Sequence, residues 1–209
     1  MSTLAGHRVS SAVVRLPRHG VWAATVHLVG AVQLAGAVSL TIEDLTLAGS
    51  VVRGGPDAAA STASYTITGG AGGWRKPIPS KPYRNDLGVK LSTVLSDAAR
   101  DAGERLELGA DRTVGPAYVR RAGPAWDALA LLASSWWVDV DGVTQVRPRP
   151  AVPVIASYRV IRPVPAQSMR EIATESPALF APGALFHERP IEEVTIHVDH
   201  ASLRLLVRT

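Results

Sequence analysis

The sequence contains no cysteine among its 209 residues. It can therefore hold no disulfide, no thiolate zinc site and no cysteine nucleophile. It also lacks any apolar run that approaches the roughly 20 residues needed to span a bilayer. Residues 1–8 do not have the charged and then apolar layout of a secretory signal. We therefore expect synthesis in a cytoplasm, without a membrane segment.

Lysine is rare, since only Lys76, Lys81 and Lys90 occur and the other basic residues are arginines. The formal net charge is only +4, whereas proteins that bind nucleic acid usually concentrate positive charge in one stripe or helix. The local clusters Arg120-Arg121 and Arg147-Pro148-Arg149 favour solvated surface or protein–protein contact, where arginine is enriched. A nucleic-acid-binding β-barrel stays open as a less favoured alternative, with salt-dependent retention on DNA as its signature.

The motifs of common catalytic and cofactor sites are lacking as well. No G-x-S-x-G pentapeptide surrounds Ser50 or any other serine, and residues 69–73 have neither the lysine of a phosphate loop nor dinucleotide spacing. That glycine-rich segment is better interpreted as a structural turn that places Trp74. His197 and His200 lie three residues apart, so on a strand they would point to opposite faces and hold no metal together. We predict no catalytic, cofactor-binding or metal-binding residue.

Several carboxylates could in principle serve acid–base chemistry. Residues 139–142 lack the twelve-residue ligand pattern of a calcium loop and are typical of a hairpin turn. The pairs Glu192-Glu193 and Asp97…Asp101 would need a pocket that shifts their pKa values, and the sequence indicates none. A cell-wall-degrading enzyme with Glu192 or Asp139 as catalytic carboxylate is the main alternative function, and it would need two carboxyls at a defined separation in a cleft.

What the sequence does contain is a globular balance of 46% hydrophobic and 19% charged residues, far from the disordered regime. Near both ends of the chain, segments rich in Val, Thr, Ile and Leu show a partial alternation of apolar and polar residues. Glycines separate several of these segments. This pattern predicts a β-rich start and a β-rich end. The predicted strands cover residues 8–16, 21–29, 38–47, 61–68, 154–161, 169–174, 191–198 and 203–207. We predict a turn at residues 54–56.

The middle of the chain has helical spacing. Apolar residues recur at three-four intervals over residues 87–102 and predict a helix that Gly103 ends. A second helix is predicted to begin at Gly123-Pro124 and to stop near Ser134-Ser135. Strands on either side of Asp141-Gly142 predict a tight two-residue hairpin. Trp126 should lie in the core, and Trp22 and Trp74 fit either a core or an interface.

Several segments, in this order and spacing, resemble phage tail or baseplate hub proteins, which are related to the hub portion of type VI secretion spikes. They cover most of the chain. The segments are GVWAATV at 20–26, LAGSVV at 47–52, GAGGW at 70–74, YRNDLGV at 83–89, VLSDAA at 94–99, the helix–hairpin unit at 126–142, and residues 182–184, 191–194 and 202–204.

The resemblance implies a fold that is mainly β with an α+β insertion. Two tube-like antiparallel β-barrel or sandwich modules, 1–80 and 151–209, would flank a unit of two helices and a β-hairpin at 85–150, and the second module can share strands with the first.

The resemblance also implies a non-enzymatic hub that forms a homotrimer. Its pseudo-sixfold ring would enclose a channel and adapt a hexameric tail tube to a threefold tip. The implied partners are further copies, a tail tube or distal tail protein, and tip spike or fibre proteins, while DNA would pass through the ring without sequence-specific binding. The implied location is the virion tail tip or baseplate, with assembly in the host cytoplasm. Many hubs are longer, so we expect no fused spike, lysozyme-like or fibre-binding region.

Overall fold

The computed structural model describes residues 2–164, 168–200 and 202–209. The N-terminal strands are β1 (Thr3–Leu4), β2 (His7–Pro17), β3 (Ala23–Val29), β4 (Ala37–Ile42), β5 (Leu45–Asp57) and β6 (Thr62–Gly69). The middle contains β7 (Pro77–Ile78), β8 (Lys81–Lys90), α1 (Leu91–Ala102), β9 (Leu106–Leu108), β10 (Thr113–Arg120), β11 (Gly123–Pro124), α2 (Trp126–Leu132), β12 (Trp137–Val138) and β13 (Thr144–Val146). The C-terminal strands are β14 (Arg159–Val164), β15 (Met169–Ala173), β16 (Leu185–Phe186), β17 (Arg189–Pro190), β18 (Glu193–Val198) and β19 (Leu203–Arg208).

One continuous sheet runs through the molecule in the order β1-β4-β5-β6-β3-β2-β18-β19-β15-β14. Because β1 pairs with both β4 and β2, the first six strands close into a barrel. Strand β2 is 11 residues long and has three strand neighbours, since its first residues pair with β1, residues 9–15 with β3 and residues 12–17 with β18. The sheet therefore branches at β2, and one branch continues to β14. The mainly β fold class with a small helical insertion is confirmed.

Alternation with a period of two builds the barrel core, because successive side chains of a strand point to opposite faces. In β3 the even-numbered residues Ala24, Val26 and Leu28 are buried, whereas their odd-numbered neighbours are exposed. The same core extends beneath the C-terminal strands, where Ile196 and Leu205 are fully buried. The barrel and the C-terminal strands thus share one apolar interior.

Trp22 belongs to this core, which resolves the choice that the sequence left open. Its indole is buried against two glycines of neighbouring strands, Gly49 on β5 and Gly69 on β6. A Cβ atom at Gly69 would lie 2.5 Å from Trp22 Nε1, and one at Gly49 would lie 2.7 Å from Trp22 Cη2. Only glycine leaves room for the ring at these two positions.

The insertion has an apolar core of its own, in which Leu95 of α1 and Leu129 of α2 pack with Trp74. The glycine-rich segment before Trp74 makes the predicted structural turn, with Gly70 and Gly72 in the left-handed region at φ 74° and 77°. The indole Nε1 of Trp74 donates a 2.8 Å hydrogen bond to Thr144 Oγ1.

Glu104 ties the insertion to this turn. Its carboxylate accepts hydrogen bonds from the backbone N–H groups of Ala71 at 3.0 Å and Gly73 at 2.5 Å. The carboxylate is buried, and charge-assisted bonds of this kind are stronger than neutral ones. The insertion therefore sits at a fixed position relative to the end of β6.

Strands β8 and β10 pair into a two-stranded ribbon beside α1. Asp97 of α1 joins the two elements, because its carboxylate binds both Lys81 of β8 and Arg100 of the next helical turn. The hydrogen bond from Lys81, followed by the charge of Arg100, holds the pKa of the Asp97 carboxyl below its usual value, although burial acts in the opposite direction. The ionised carboxylate thus stabilises the attachment of the ribbon.

The ribbon explains why the predicted start of the first helix is wrong. The three-four pattern began at Leu87, but residues 81–90 pair with β10, and α1 begins only at Leu91. Leu87 is 93% exposed. Gly103 does end the helix, as predicted, in the left-handed conformation at φ 77°.

The predicted start of the second helix is also wrong, because Gly123 and Pro124 form β11 and pair with β7. Trp126, predicted for the core, is 38% exposed. Arg120, predicted for the surface, is only 2% exposed and donates to Asp101 Oδ2 and to the carbonyl oxygen of Pro79.

The predicted two-residue hairpin turn is in fact a five-residue loop, since Val138 pairs with Thr144. The Asp139 carboxylate accepts the N–H groups of Asp141 at 3.0 Å and Val143 at 2.8 Å, which stabilises the wider loop.

The predicted turn at residues 54–56 and the predicted strand at residues 38–47 also fail. Residues 54–56 lie inside β5, and the stretch 38–47 is broken at Glu43, where φ is 50°. In the C-terminal part, no strand covers residues 154–158, and β14 begins at Arg159.

We expect Gly69→Ala to lower the free energy of unfolding by about 2 kcal/mol, because the added methyl group would overlap the Trp22 indole. Gly55→Ala is the matched control, since a Cβ at Gly55 on the same sheet meets no atom within 4 Å. Urea unfolding followed by tryptophan fluorescence measures both. Equal stability of the two variants would contradict the assigned role of Gly69.

Asp97 should make stability depend on pH. Its pKa is lowered in the folded state, so its contribution is present above the unfolded value of about 4 and is lost as the pH falls through the lower folded value. We expect Asp97→Asn to cost on the order of 1 kcal/mol near neutral pH and much less at pH 3. Asp86→Asn on the same ribbon, where the carboxylate is largely exposed, is the control in urea unfolding at both pH values. A cost for Asp97→Asn that does not shrink on acidification would refute this role.

Candidate assembly surfaces

The sheet ends at β14, and this edge is open. Strand β14 pairs with β15 on one side, and no strand of the described residues pairs with its other side. Its residues Val160 and Ile161 expose large aliphatic side chains. An open edge presents unpaired N–H and C=O groups to another chain. Strand β14 is therefore a surface on which a further strand can pair.

A second open edge lies on β5. Residues 45–50 pair with β4, whereas residues 52–57 pair only with β6 within the described part of the chain. Val52 at the start of this half is exposed. Eight strands, from β5 through β6, β3, β2, β18, β19 and β15 to β14, thus form a segment with an open edge at each end.

Buried glutamates hold pairs of arginines across this segment. The Glu193 carboxylate of β18 accepts hydrogen bonds from Arg15 of β2 at 2.9 Å and from Arg208 of β19 at 3.2 Å. Both arginines are largely exposed, while the glutamate side chain is 8% exposed. The three strands are thereby linked by charge as well as by backbone pairing.

Glu171 of β15 makes the equivalent arrangement nearer the open edge. It binds Arg162 of β14 at 2.6 Å and Arg204 of β19 at 3.0 Å. Hydrogen bonding from Arg204, aided by Arg162, lowers the pKa of the Glu171 carboxyl, although burial acts in the opposite direction. The carboxylate is therefore ionised at neutral pH.

The surface that carries these clusters is named here the arginine face. Its charged members are Arg15, Arg162, Glu171, Glu193, Arg204 and Arg208. Four cations against two anions leave this group with an excess of two positive charges. Each of these arginines forms an ion pair with a carboxylate on a neighbouring strand.

The carboxylates singled out in the sequence are engaged in structural contacts. Asp139 stabilises its loop and also accepts a 2.9 Å hydrogen bond from Gln145 Nε2. Glu192 pairs with Arg18, and Asp101 pairs with Arg120. Nothing in these contacts resembles two carboxyls facing each other across a cleft.

The other candidate residues are dispersed. His197 lies on the exposed side of β18, and His200 lies beyond the end of that strand. No group of three or more His, Cys, Asp or Glu residues in the described ranges is arranged to hold a metal ion. Ser50 donates a 2.9 Å hydrogen bond to the carbonyl oxygen of Gly70. No helix among the described residues is long and apolar enough to cross a membrane.

The sequence matches no protein-family model and no curated protein. Solved structures do match over the whole chain. The 43 kDa tail protein of prophage MuSo2 from Shewanella oneidensis has a TM-score of 0.64 at 9% identity, and the match covers 99% of this chain and 95% of that protein. A tail protein from Neisseria meningitidis has a TM-score of 0.66 at 10% identity, with 100% and 96% covered.

A component of the type VI secretion system of Escherichia coli also matches, with a TM-score of 0.67 at 9% identity, and covers 100% of this chain and 76% of that protein. It is described as similar in structure to the T4 bacteriophage tail proteins gp27 and gp5. At such low identity the likeness concerns the fold. The chain therefore has the fold of phage tail proteins and of this secretion component, and the resemblance to tail hub proteins found in the sequence is confirmed at that level.

Proposed function

We propose that this chain is a structural hub protein of a phage-type tail tip or baseplate, whose copies close into a trimeric ring that adapts a hexameric tail tube to a threefold tip. The observation that carries the proposal is the eight-strand segment with an open edge at each end, on β5 and on β14. Different edges at the two ends allow one copy to pair with the next in a head-to-tail manner. A ring that closes in this way leaves no edge exposed.

The strand order supports a pseudo-sixfold arrangement. The segment divides at the β2–β18 pair into β5-β6-β3-β2 and β18-β19-β15-β14, two groups of four strands each. These groups are the cores of the two tube-like modules that we propose for residues 1–80 and 151–209, with the insertion at 85–150 on the outside of their junction. Three copies would supply six such groups around one axis. A ring of this kind can face a sixfold tube on one side and a threefold tip on the other.

The proposed partners follow from this geometry. They are two further copies of the chain, a tail tube or distal tail protein, and spike or fibre proteins of the tip. DNA would pass through the channel of the ring without contacts to its bases. The ring would be assembled in the host cytoplasm and remain in the virion tail.

The contacts in the structure favour a role without catalysis. The two carboxylates considered for a cell-wall-degrading enzyme, Glu192 and Asp139, are each held by a neighbouring group, Arg18 and the 139–143 loop respectively. The arginines of the arginine face are partly neutralised by Glu171 and Glu193. Strong polyanion binding, the signature of the nucleic-acid alternative, would need more unpaired cations.

Blocking the β14 edge should prevent ring formation. We expect the purified chain to have the mass of three copies in native mass spectrometry, and Val160→Lys combined with Ile161→Lys to have the mass of one, because charged side chains on an edge strand oppose strand addition. Leu131→Lys on α2 is the control, since Leu131 is an aliphatic residue that is also exposed to solvent and belongs to a helix and not to the sheet edge.

Circular dichroism should show the same β content for all three proteins, so that loss of the ring is separated from unfolding. A wild-type protein that stays monomeric at high micromolar concentration would refute the ring. So would a double variant that still forms three-copy assemblies.

A further inference from the structure

A pocket of about 330 Å³ lies between the barrel and the insertion, and its lining shares Val52 with the open β5 edge. Ala23 and Val52 contribute to its barrel side, and Trp74, Trp126 and Trp136 contribute to its insertion side. We name it the tryptophan pocket. Pockets of this size at the junction of two structural units are typical of ligand sites.

The indoles make the pocket suited to a flat apolar group. The ring centroids of Trp74 and Trp136 are 6.4 Å apart with an interplanar angle of 49°, so the two rings form an angled wall. Trp126 stands at the rim with 38% of its surface exposed. Trp74 is buried behind this wall, so the partly exposed Trp126 and the half-buried Trp136 supply the apolar contact area, of the kind that dominates binding sites.

The exposed charged side chain at this pocket is positive. Arg75 is exposed, and its guanidinium carbon lies 5.9 Å from the ring centroid of Trp126. None of the ion pairs among the described residues includes Arg75. The carboxylate that lines the pocket, Glu104, is buried and has both oxygens occupied by the N–H groups of Ala71 and Gly73. An incoming anion would therefore find an available partner in Arg75, whereas an incoming cation would be repelled by it.

We propose that the tryptophan pocket binds an acidic peptide segment of a partner protein, with an aromatic side chain packed against the indole wall beside Trp126 and a neighbouring carboxylate on Arg75. The guanidinium can form two parallel hydrogen bonds with a carboxylate, which adds direction to the charge. Val52 of the pocket lies at the open β5 edge that the proposed ring would use, but the binding proposed here depends on the indoles and Arg75 and does not require the ring.

A short peptide tests the proposal. The probe is acetyl-Asp-Phe-Glu-amide, and its uncharged counterpart is acetyl-Asn-Phe-Gln-amide. Binding is followed by the intrinsic tryptophan fluorescence of the protein, because phenylalanine does not interfere. We expect saturable binding of the acidic peptide in the millimolar range or tighter, and at least tenfold weaker binding of the uncharged one.

Variants at the rim identify the site. Arg75→Ala and Trp126→Ala should each weaken binding of the acidic peptide at least tenfold, and circular dichroism of each variant separates loss of binding from any loss of fold, since Trp126 is only 38% exposed. Arg75→Lys should retain part of the affinity, and Leu131→Ala, on the exposed side of the same helix as Trp126, should bind like the wild type. Absence of saturable binding, equal binding of the two peptides, or unchanged affinity in Arg75→Ala would each overturn the proposal.

Discussion

The structure depends on one sheet that branches at β2. One branch closes into a barrel, and the other is an open sheet that ends at β14. Strand β1 has only two residues, but by pairing with both β2 and β4 it turns six strands into a barrel. The remaining strands leave β2 through β18 and end at β14 without a partner strand in the described chain. Unpaired strand edges are sites of association. The described chain thus presents an open edge to which a further strand can add.

Charge and packing both keep this open sheet rigid enough to present its edges. The apolar interior continues from the barrel beneath the C-terminal strands, so the two groups of strands do not hinge freely on β2. On the opposite side of the sheet, Glu193 and Glu171 link β2, β18, β19, β15 and β14 through arginines. Exposed ion pairs contribute little individually, but these carboxylates are buried, and each is held by two arginines from neighbouring strands. The insertion is fixed in turn by Glu104 at the glycine turn.

Local sequence patterns predicted those parts of the fold whose contacts are local. Alternation located most of β2, β3, β6, β15, β18 and β19, and Gly103 marked the end of α1. The alternation did not predict the full length of β5, because the glycines in that strand were interpreted as turns. In the structure Gly49 makes room for Trp22, and a Cβ at Gly54 would lie 2.1 Å from the carbonyl oxygen of Ser64. These glycines allow close approach between strands, which a single-sequence pattern does not distinguish from a turn.

Features that depend on pairing between strands distant in the sequence were harder to predict. Leu87 continued a helical pattern, but pairing with β10, a strand distant in the sequence, made its segment a strand. The sequence did not predict the ion pairs of Glu171, because its arginine partners become neighbours only through the register of β14, β15 and β19. The signal that could have indicated these ion pairs was the placement of Arg and Glu at outward-facing positions of the strands. The open edge of β14 follows from the strand order alone.

The most direct test uses the absence of cysteine in the chain. A variant with Val160→Cys on β14 and Arg53→Cys on β5 places one thiol at each open edge, on the first and the last strand of the eight-strand segment. Treatment with a short bismaleimide should join neighbouring copies and give a covalent product of three chains on a denaturing gel, whereas each single-cysteine variant should not give it. A doubly labelled protein that remains a single chain on the gel would contradict the account.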